Sequence, residues 1–411
     1  MVGISTQIVP STGMSLYIHV PFCNTKCPYC DFNTYQGIER LFTPYVKALT
    51  TEIALWGKVL NAPSINTIFF GGGTPSYLPQ GSIGEIIESV RSNFDINPEA
   101  EITIEANPGD ITLDSCTRLL REHVNRLSIG VQSLDNDLLT MLGRRHDAVQ
   151  AIDSCKTASM AGFENISLDL MYGLPNQTID HWKTTLENLV ALDPKHISLY
   201  SLTLEEGTPL HTWVEQGKLP TPDPDIAADM YHYAEESLED HGYAHYEISN
   251  WSKPDHASRH NMAYWLNHPY VGVGPGAHSR LGDYRFWTVD SPRTYIESAA
   301  SWSDSDPNCF KKFADQEIDS IPTIAGYEHI SPELRASETM FLGLRLLDGI
   351  NITEMSPAIG TDLGVLYKTE IAESLSLGLL EEHNGLLRPV SYTHLRAHET
   401  EADLVCRLLL E

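Results

Sequence analysis

The sequence predicts an α/β fold: a partial (β/α)6 TIM-like barrel followed by a small, mainly helical C-terminal domain. Three observations lead there. Short apolar, β-branched runs alternate with segments whose apolar residues recur about every 3.6 positions. Six such strand–helix units fit a barrel or partial barrel better than a small doubly wound sheet. Glycine or polar residues recur at the ends of successive runs, where a parallel α/β barrel carries its active face.

The first run, Leu16–Val20, leads into a cysteine-rich stretch. The second, Thr67–Phe70, ends in Gly71-Gly-Gly-Thr-Pro75. The third, Glu101–Glu105, continues into Ala-Asn-Pro108, and the fourth, Arg126–Val131, ends at Gln132-Ser133. The fifth, Asn165–Met171, contains Asp169 and precedes Tyr172-Gly-Leu-Pro175; the sixth is His196–Leu202. Helical spacing is plain over Tyr45–Leu60, Ile83–Phe94 and Trp182–Leu192. Each polar strand end by itself reads as a turn former or a satisfied buried polar group; the recurrence on successive strands is harder to explain that way.

After about residue 210 the rhythm changes. Pro220–Asp225 reads as a loop before a helix at Ile226–His241. Three stretches then hold aromatic, histidine or glycine residues: 246–251, 259–265 and the glycine-rich 271–279. Residues 302–309 read as a linker. Glu333–Leu347 and Gly364–Leu380 read as helices without clustered polar chemistry, and Leu379–Arg388 as a late helix and turn. The expected division is 1–300, 301–390 and a tail at 391–411.

At 411 residues with 42% hydrophobic composition the chain can bury a large core. Lys and Arg number 27 against 55 Asp and Glu, a formal charge of −28, which argues against nucleic acid or anionic lipid as partners. No window reaches the roughly 18 apolar residues of a membrane span. The first fifteen residues contain no Lys or Arg, so a secretory leader is not expected and a cytoplasmic location is. Seven cysteines, an odd number with three clustered, suit metal binding or redox work better than a disulfide framework.

The cluster is Cys23-x3-Cys27-x2-Cys30. One loop with this spacing can wrap a single centre through thiolates. Zinc usually takes four protein ligands, and His19, four residues earlier, is a candidate fourth. An iron–sulfur cluster is the other choice, and three cysteines would leave one iron open. The residues alone leave both open.

The motif resembles the radical S-adenosylmethionine (SAM) superfamily. Tyr17, the Gly-Gly-Gly-Thr-Pro turn, Glu105, Gly130-Val-Gln132, Arg144 and Asp169 follow in order, similar to its HemN group, the oxygen-independent coproporphyrinogen III oxidases. The likeness spans about residues 14–390. It implies a [4Fe-4S] cluster on Cys23, Cys27 and Cys30 with SAM on the open iron. It also implies SAM contacts from Tyr17, Tyr29, Gly72, Gly73, Thr74, Glu105, Gln132, Arg144 and Asp169. Glu105 and Asp169 suit amino or ribose hydroxyl groups, Arg144 a carboxylate, and the glycines close backbone approach. Tyr29 would shield the cluster or pack near the adenine.

The HemN pattern adds a fourth cysteine where this chain has Phe32. That departure resembles the HemW subgroup of haem chaperones, as does His260-Asn261-Met-Ala-Tyr264-Trp265. The resemblance implies haem binding through this motif and transfer to acceptor proteins, with a homodimer as an option. Imidazole is a common haem ligand, and His260 and Tyr264 would share a helix face while Tyr264 and Trp265 could stack on the macrocycle. The purely structural alternative is a capped helix start with two core aromatics. Lys253, Arg259, Arg280 and Arg285 are candidates for the propionates, and His278 is a second candidate ligand. The other reading of the framework is an active oxidase that decarboxylates coproporphyrinogen III. No catalytic residue is assigned, and His123, His181, His211 and His256 carry no role. From Ser391 onward the likeness stops, and the tail resembles translated adapter sequence, so His394, His398 and Cys406 are given no function.

Overall fold

The structure, a computed structural model, describes residues 13–301 and 321–390. The expected linker at 302–309, Cys309, and the tail with His394, His398 and Cys406 lie outside the described residues. The described chain forms two compact units that interleave along the sequence. The first holds 13–167, 204–212, 268–301 and 321–329; the second holds 168–203, 213–267 and 330–390.

Strands in chain order are β1 (Met14–Val20), β2 (Ser64–Gly72), β3 (Asp95–Ala106), β4 (Arg126–Gln132), β5 (Asn165–Tyr172) and β6 (His196–Ser201). They continue as β7 (Ala244–Glu247), β8 (Asn250–Ser252), β9 (Tyr270–Val273), β10 (His278–Leu281), β11 (Tyr284–Thr288) and β12 (Ile324–His329). Each of the six expected runs corresponds to one of the first six strands.

In the first unit the strand order is β12-β11-β10-β9-β1-β2-β3-β4. β1 pairs in parallel with both β2 and β9, and β2, β3 and β4 continue the parallel ladder. A central strand is covered on both faces, and β1 is buried at six of its seven residues. β9 to β12 are joined by antiparallel pairing. The glycine-rich stretch 271–279 is thus largely strand, which its composition concealed.

Helix Phe42–Val59 lays Tyr45, Leu49, Ile53 and Trp56 inward at helical spacing. On the same face Glu52 is fully buried. Its carboxylate accepts from the Tyr295 hydroxyl (2.6 Å), the Thr323 hydroxyl (2.7 Å) and the Gly274 amide (2.9 Å). Burial pushes its pKa up and these donors oppose the rise. One acid therefore ties the end of β9, helix Pro292–Ala300 and the approach to β12 to one helix.

In the second unit the strand order is β5-β6-β8-β7, with β8 antiparallel to both neighbours. Helix Pro224–Asp240 starts where Asp223 accepts from the amides of Asp225 and Ile226. The Trp182 indole donates to the Met230 carbonyl at 2.7 Å, joining helix Ile179–Val190 to it.

Towards the C-terminus, helix Pro332–Gly343 is capped by Ser331. The long helix expected at 364–380 is instead two short ones, Leu363–Leu366 and Lys368–Ser376. The late helix and turn expected at 379–388 is a hairpin, with strands β13 (Leu380–His383) and β14 (Leu386–Pro389). Asn384 and Gly385, at φ +52° and +80°, form its turn. Asn-Gly between two short segments favours a two-residue hairpin turn whose twist matches the strands, and this signal overrides the helical spacing.

Candidate cofactor site

The cysteine loop follows β1 in the first unit. Its ends are closed by the Cys23 amide donating to Tyr35 O (2.9 Å) and the Tyr35 amide to Pro21 O (2.7 Å), and inside it the Cys30 amide donates to Cys27 O (3.1 Å). The Leu210 amide donates to Pro28 O at 2.9 Å. The glycine turn after β2 docks on the same backbone. Gly73 N–H donates to Val20 O and Thr74 N–H to Phe22 O, both at 2.8 Å. A Cβ on Gly73 would lie 2.7–2.8 Å from the carbonyl oxygens of Phe22 and Val20. Glycine is therefore required here by the cysteine loop itself, whatever it holds. Gly73→Ala should lower iron retention about tenfold after anaerobic reconstitution, read as iron per chain; retention equal to wild type would refute it.

Polar side chains reach the sulfurs from three segments: the cysteine loop itself, the turn after β2 and the stretch after helix Asn136–Met141. Thr74 Oγ1 donates to Cys23 Sγ (3.6 Å), and the Cys30 Sγ lies 4.0 Å from Thr34 Oγ1. Arg144 Nη1 donates to Cys27 Sγ (3.6 Å) and Tyr29 Oη (3.4 Å), while Nη2 donates to Gly130 O (2.7 Å) and Asn107 Oδ1. Asn107 Nδ2 in turn donates to Thr74 Oγ1 at 3.1 Å. Burial disfavours the Arg144 cation, but neighbouring Tyr29 and Cys27 outweigh it and raise its pKa. The Cys23 and Cys30 thiols are pushed up, first by burial. Part of the Cys23 shift comes from Cys30 and Cys27, so the thiols lie within range of one another's charge.

Among the described residues no three Cys, His, Asp or Glu side chains converge where a single ion would sit. His19 is also committed elsewhere. Its Nε2 faces Asn33 O at 2.9 Å and its Nδ1 faces Tyr17 Oη at 3.1 Å. The carbonyl requires Nε2–H, so Nδ1 accepts from Tyr17. Burial keeps this histidine neutral by lowering its pKa. The zinc alternative loses its fourth ligand. Three neighbouring thiols with donors aimed at the sulfurs instead fit a cluster of several metal atoms.

Tyr17, on β1, has its pKa raised by burial and then by Glu105. Glu105, at the end of β3, accepts from Gly72 N–H at 3.2 Å. Gly72, at φ +104°, packs against the His19 ring. Gln132 ends β4 in the left-handed region at φ +65°, a conformation that costs free energy and is often found where a side chain is aimed at a site. Tyr29 is half-buried and its phenol is pushed up, mainly by burial. The first unit thus brings together the three cysteines, Tyr17, Tyr29, Gly72, Gly73, Thr74, Glu105, Gln132 and Arg144. Asp169 lies on β5 in the second unit, half-buried. The sequence reading passed over Asn107, although it stands in the strand-end Glu105-Ala-Asn-Pro108 stretch.

In the second unit the histidine–aromatic motif is helix Arg259–Trp265, capped by Ser258 Oγ on Asn261 N–H. As the i, i+4 spacing predicts, His260 Nε2 and Tyr264 Oη meet at 3.0 Å, with rings 87° apart. His260 is 1% exposed. Trp265 packs on the core formed by Ala336, Met340, Leu363 and Leu387, and the Arg345 guanidinium sits 4.2 Å over its ring. Arg345 Nη2 also donates to the fully buried Glu247 at 3.3 Å. Arg345 was invisible to sequence reading because its partners are about 80 and 100 positions away.

Of the cations considered for propionates, Lys253 is held by the His241 carbonyl (2.5 Å), Asp193 (3.8 Å) and the Tyr243 ring (4.1 Å). Arg285 is paired with Glu328 at 2.5 Å, Arg280 is buried, and Arg259 is exposed. His278 lies against the Trp287 ring, centroids 5.8 Å apart. Phe32 is 64% exposed, so its ring does not seal the cysteine loop from solvent as a covering side chain would. Among the described residues no helix is long and apolar enough to cross a membrane.

Residues 17–189 match the Radical SAM superfamily and residues 330–389 the HemN C-terminal domain. The chain is 35% identical over 374 residues to the heme chaperone HemW of Bacillus subtilis (strain 168), covering 90% of this chain and 93% of that protein. It is 36% identical over 393 residues to the heme chaperone HemW of a Synechocystis species, with 93% and 90% coverage. Among solved structures, coproporphyrinogen III oxidase (HemN) from Escherichia coli superposes with a TM-score of 0.79 at 21% identity, covering 99% of this chain and 92% of that one. The likeness to that structure is one of fold. It establishes the partial (β/α)6 barrel with a small C-terminal domain that the strand–helix rhythm predicted.

Proposed function

Because the chain belongs to the HemW family of the radical SAM superfamily, we propose that it binds haem and hands it to acceptor proteins. In this reading Cys23, Cys27 and Cys30 hold a [4Fe-4S] cluster, which when bound supplies one-electron chemistry towards SAM. Arg144 offers a cation, and Glu105 and Gln132 offer acceptors, beside the same loop. The observation that carries the cluster reading is the donor network on two of the three thiols. Thr74 and Arg144 aim hydrogen-bond donors at sulfur, which suits thiolate ligands and not buried neutral thiols.

Phe32 and the 260–265 motif favour haem handling over decarboxylation. Reductant, SAM and coproporphyrinogen III added to the loaded protein should yield no protoporphyrinogen; its formation would establish the oxidase reading instead.

The haem half of the proposal assigns the iron to His260 Nε2, with Asn261, Tyr264 and Trp265 forming its surroundings. The Tyr264 hydroxyl now occupies that nitrogen, so ligation requires the pair to part. His260→Ala should weaken haem binding roughly tenfold or more in a spectrophotometric titration. Tyr264→Phe, which removes the competitor, should speed binding in stopped-flow mixing. A His260→Ala titration that overlays wild type would dismiss this assignment.

A further inference from the structure

Two of the three thiols receive their donors from residues that do not otherwise belong together. Thr74 follows β2, and Arg144 follows helix Asn136–Met141. Asn107, just after β3, touches both. Its amide nitrogen donates to Thr74 Oγ1 at 3.1 Å, and its amide oxygen accepts from Arg144 Nη2. A hydroxyl has one proton. With its oxygen accepting from Asn107, Thr74 directs that proton to Cys23 Sγ at 3.6 Å. Arg144, steadied through Nη2 by Asn107 and by Gly130 O, turns Nη1 to Cys27 Sγ at 3.6 Å. The result is a continuous chain from Cys23 through Thr74, Asn107 and Arg144 to Cys27. Gly130 leaves room for it, since a Cβ there would lie 3.2 Å from Arg144 Nη2 and 2.9 Å from Gln132 Nε2.

We propose that Asn107 is a positioning residue that aims both donors at the cluster thiolates and so sets the cluster's retention and reduction potential. The inference rests on the reading above that the three cysteines carry an iron–sulfur cluster. Hydrogen bonds to cluster sulfurs favour the more negative, reduced state and raise the potential. Asn107 touches no sulfur itself, so its whole effect passes through Thr74 and Arg144. A turn-forming asparagine with no such role would leave the potential unmoved.

The test uses the full chain, reconstituted with iron and sulfide under anaerobic conditions. Midpoint potential is read by spectroelectrochemical titration, and iron release by transfer to a chelator. Asn107→Ala should lower the potential and release iron about tenfold faster. Thr74→Val, which removes the Cys23 arm only, should shift the potential in the same direction by less. The double variant should match Asn107→Ala rather than the sum of the two. Loaded Asn107→Ala with the wild-type potential and release rate overturns the inference. If Asn107→Ala does not fold, an unshifted potential in Thr74→Val overturns it and a lowered one supports it. Wild type that takes up no iron would instead overturn the cluster reading itself.

Discussion

Replacing Cys23, Cys27 and Cys30 together by alanine should abolish iron and sulfide binding, leaving a colourless protein after reconstitution. The expected loss is complete because no substitute ligand stands nearby. Both ring nitrogens of His19 are engaged, and among the described residues no trio of metal-ligating side chains converges on a single point. Cys116 and Cys155 are buried on helices Leu113–Arg121 and Ala148–Ala161. The fold should survive the change. The backbone bonds from Cys23 to Tyr35, and from Gly73 and Thr74 to Val20 and Phe22, do not use the sulfurs, and the barrel strands are stabilised by apolar burial. Iron and sulfide assays on the triple variant, alongside far-UV circular dichroism, check both halves. Wild-type iron content in the triple variant would remove these cysteines as ligands. Single variants should be milder, since two thiolates still bind iron weakly.

Arg345→Ala should destabilise the second unit by about 3 kcal/mol, the largest stability effect expected here of a single exposed-edge substitution. Glu247 is fully buried and accepts from Arg345, from the Ser249 amide at 3.1 Å and from the Asn250 side chain. Removing the guanidinium leaves a carboxylate buried without its counter-charge, which costs more than the pair contributes when intact. The cation also sits over Trp265, a contact of about 1 kcal/mol. Arg345 keeps a quarter of its side chain exposed, which puts the estimate at the low end of the range for buried pairs. Urea unfolding followed by tryptophan fluorescence measures it. Arg345→Met combined with Glu247→Gln should recover most of the loss, because no charge is then stranded. A single-variant loss below about 0.5 kcal/mol would refute the account. Since Trp265 belongs to the 260–265 motif, the same variant should also loosen that helix.

Much of the first site was legible before any coordinates. Clustered cysteines, a triple-glycine turn and polar strand ends are local signals, and strand–helix alternation places them at one end of a parallel sheet. Their reasons were only partly legible. Gly73 was read as room for a ligand, but it is required by the Phe22 and Val20 carbonyls. Phe32 was read only as the residue that replaces a fourth cysteine, and its ring faces solvent. Both depend on where backbone from another segment passes, and no local spacing encodes that. The hairpin at 380–389 is the opposite case. Its Asn-Gly turn was written in the sequence and outvoted by the helical spacing that precedes it.

From residue types and spacing came the barrel and the three-thiol loop; a family resemblance pointed to the 260–265 stretch, whose i, i+4 spacing sets His260 beside Tyr264 once it is helical. Each rests on contacts within a few residues or on a repeating period, which a linear chain records. What required the folded molecule was the chemistry of partners distant in sequence. Asn107 joins Thr74 to Arg144, His19 is spent on Asn33, and Arg345 covers Trp265 while neutralising Glu247. Whether a polar side chain is free to bind a cofactor depends on which hydrogen bonds it already makes, and burial raises the cost of leaving any unmade. That accounting closes only when the chain has brought its distant segments together.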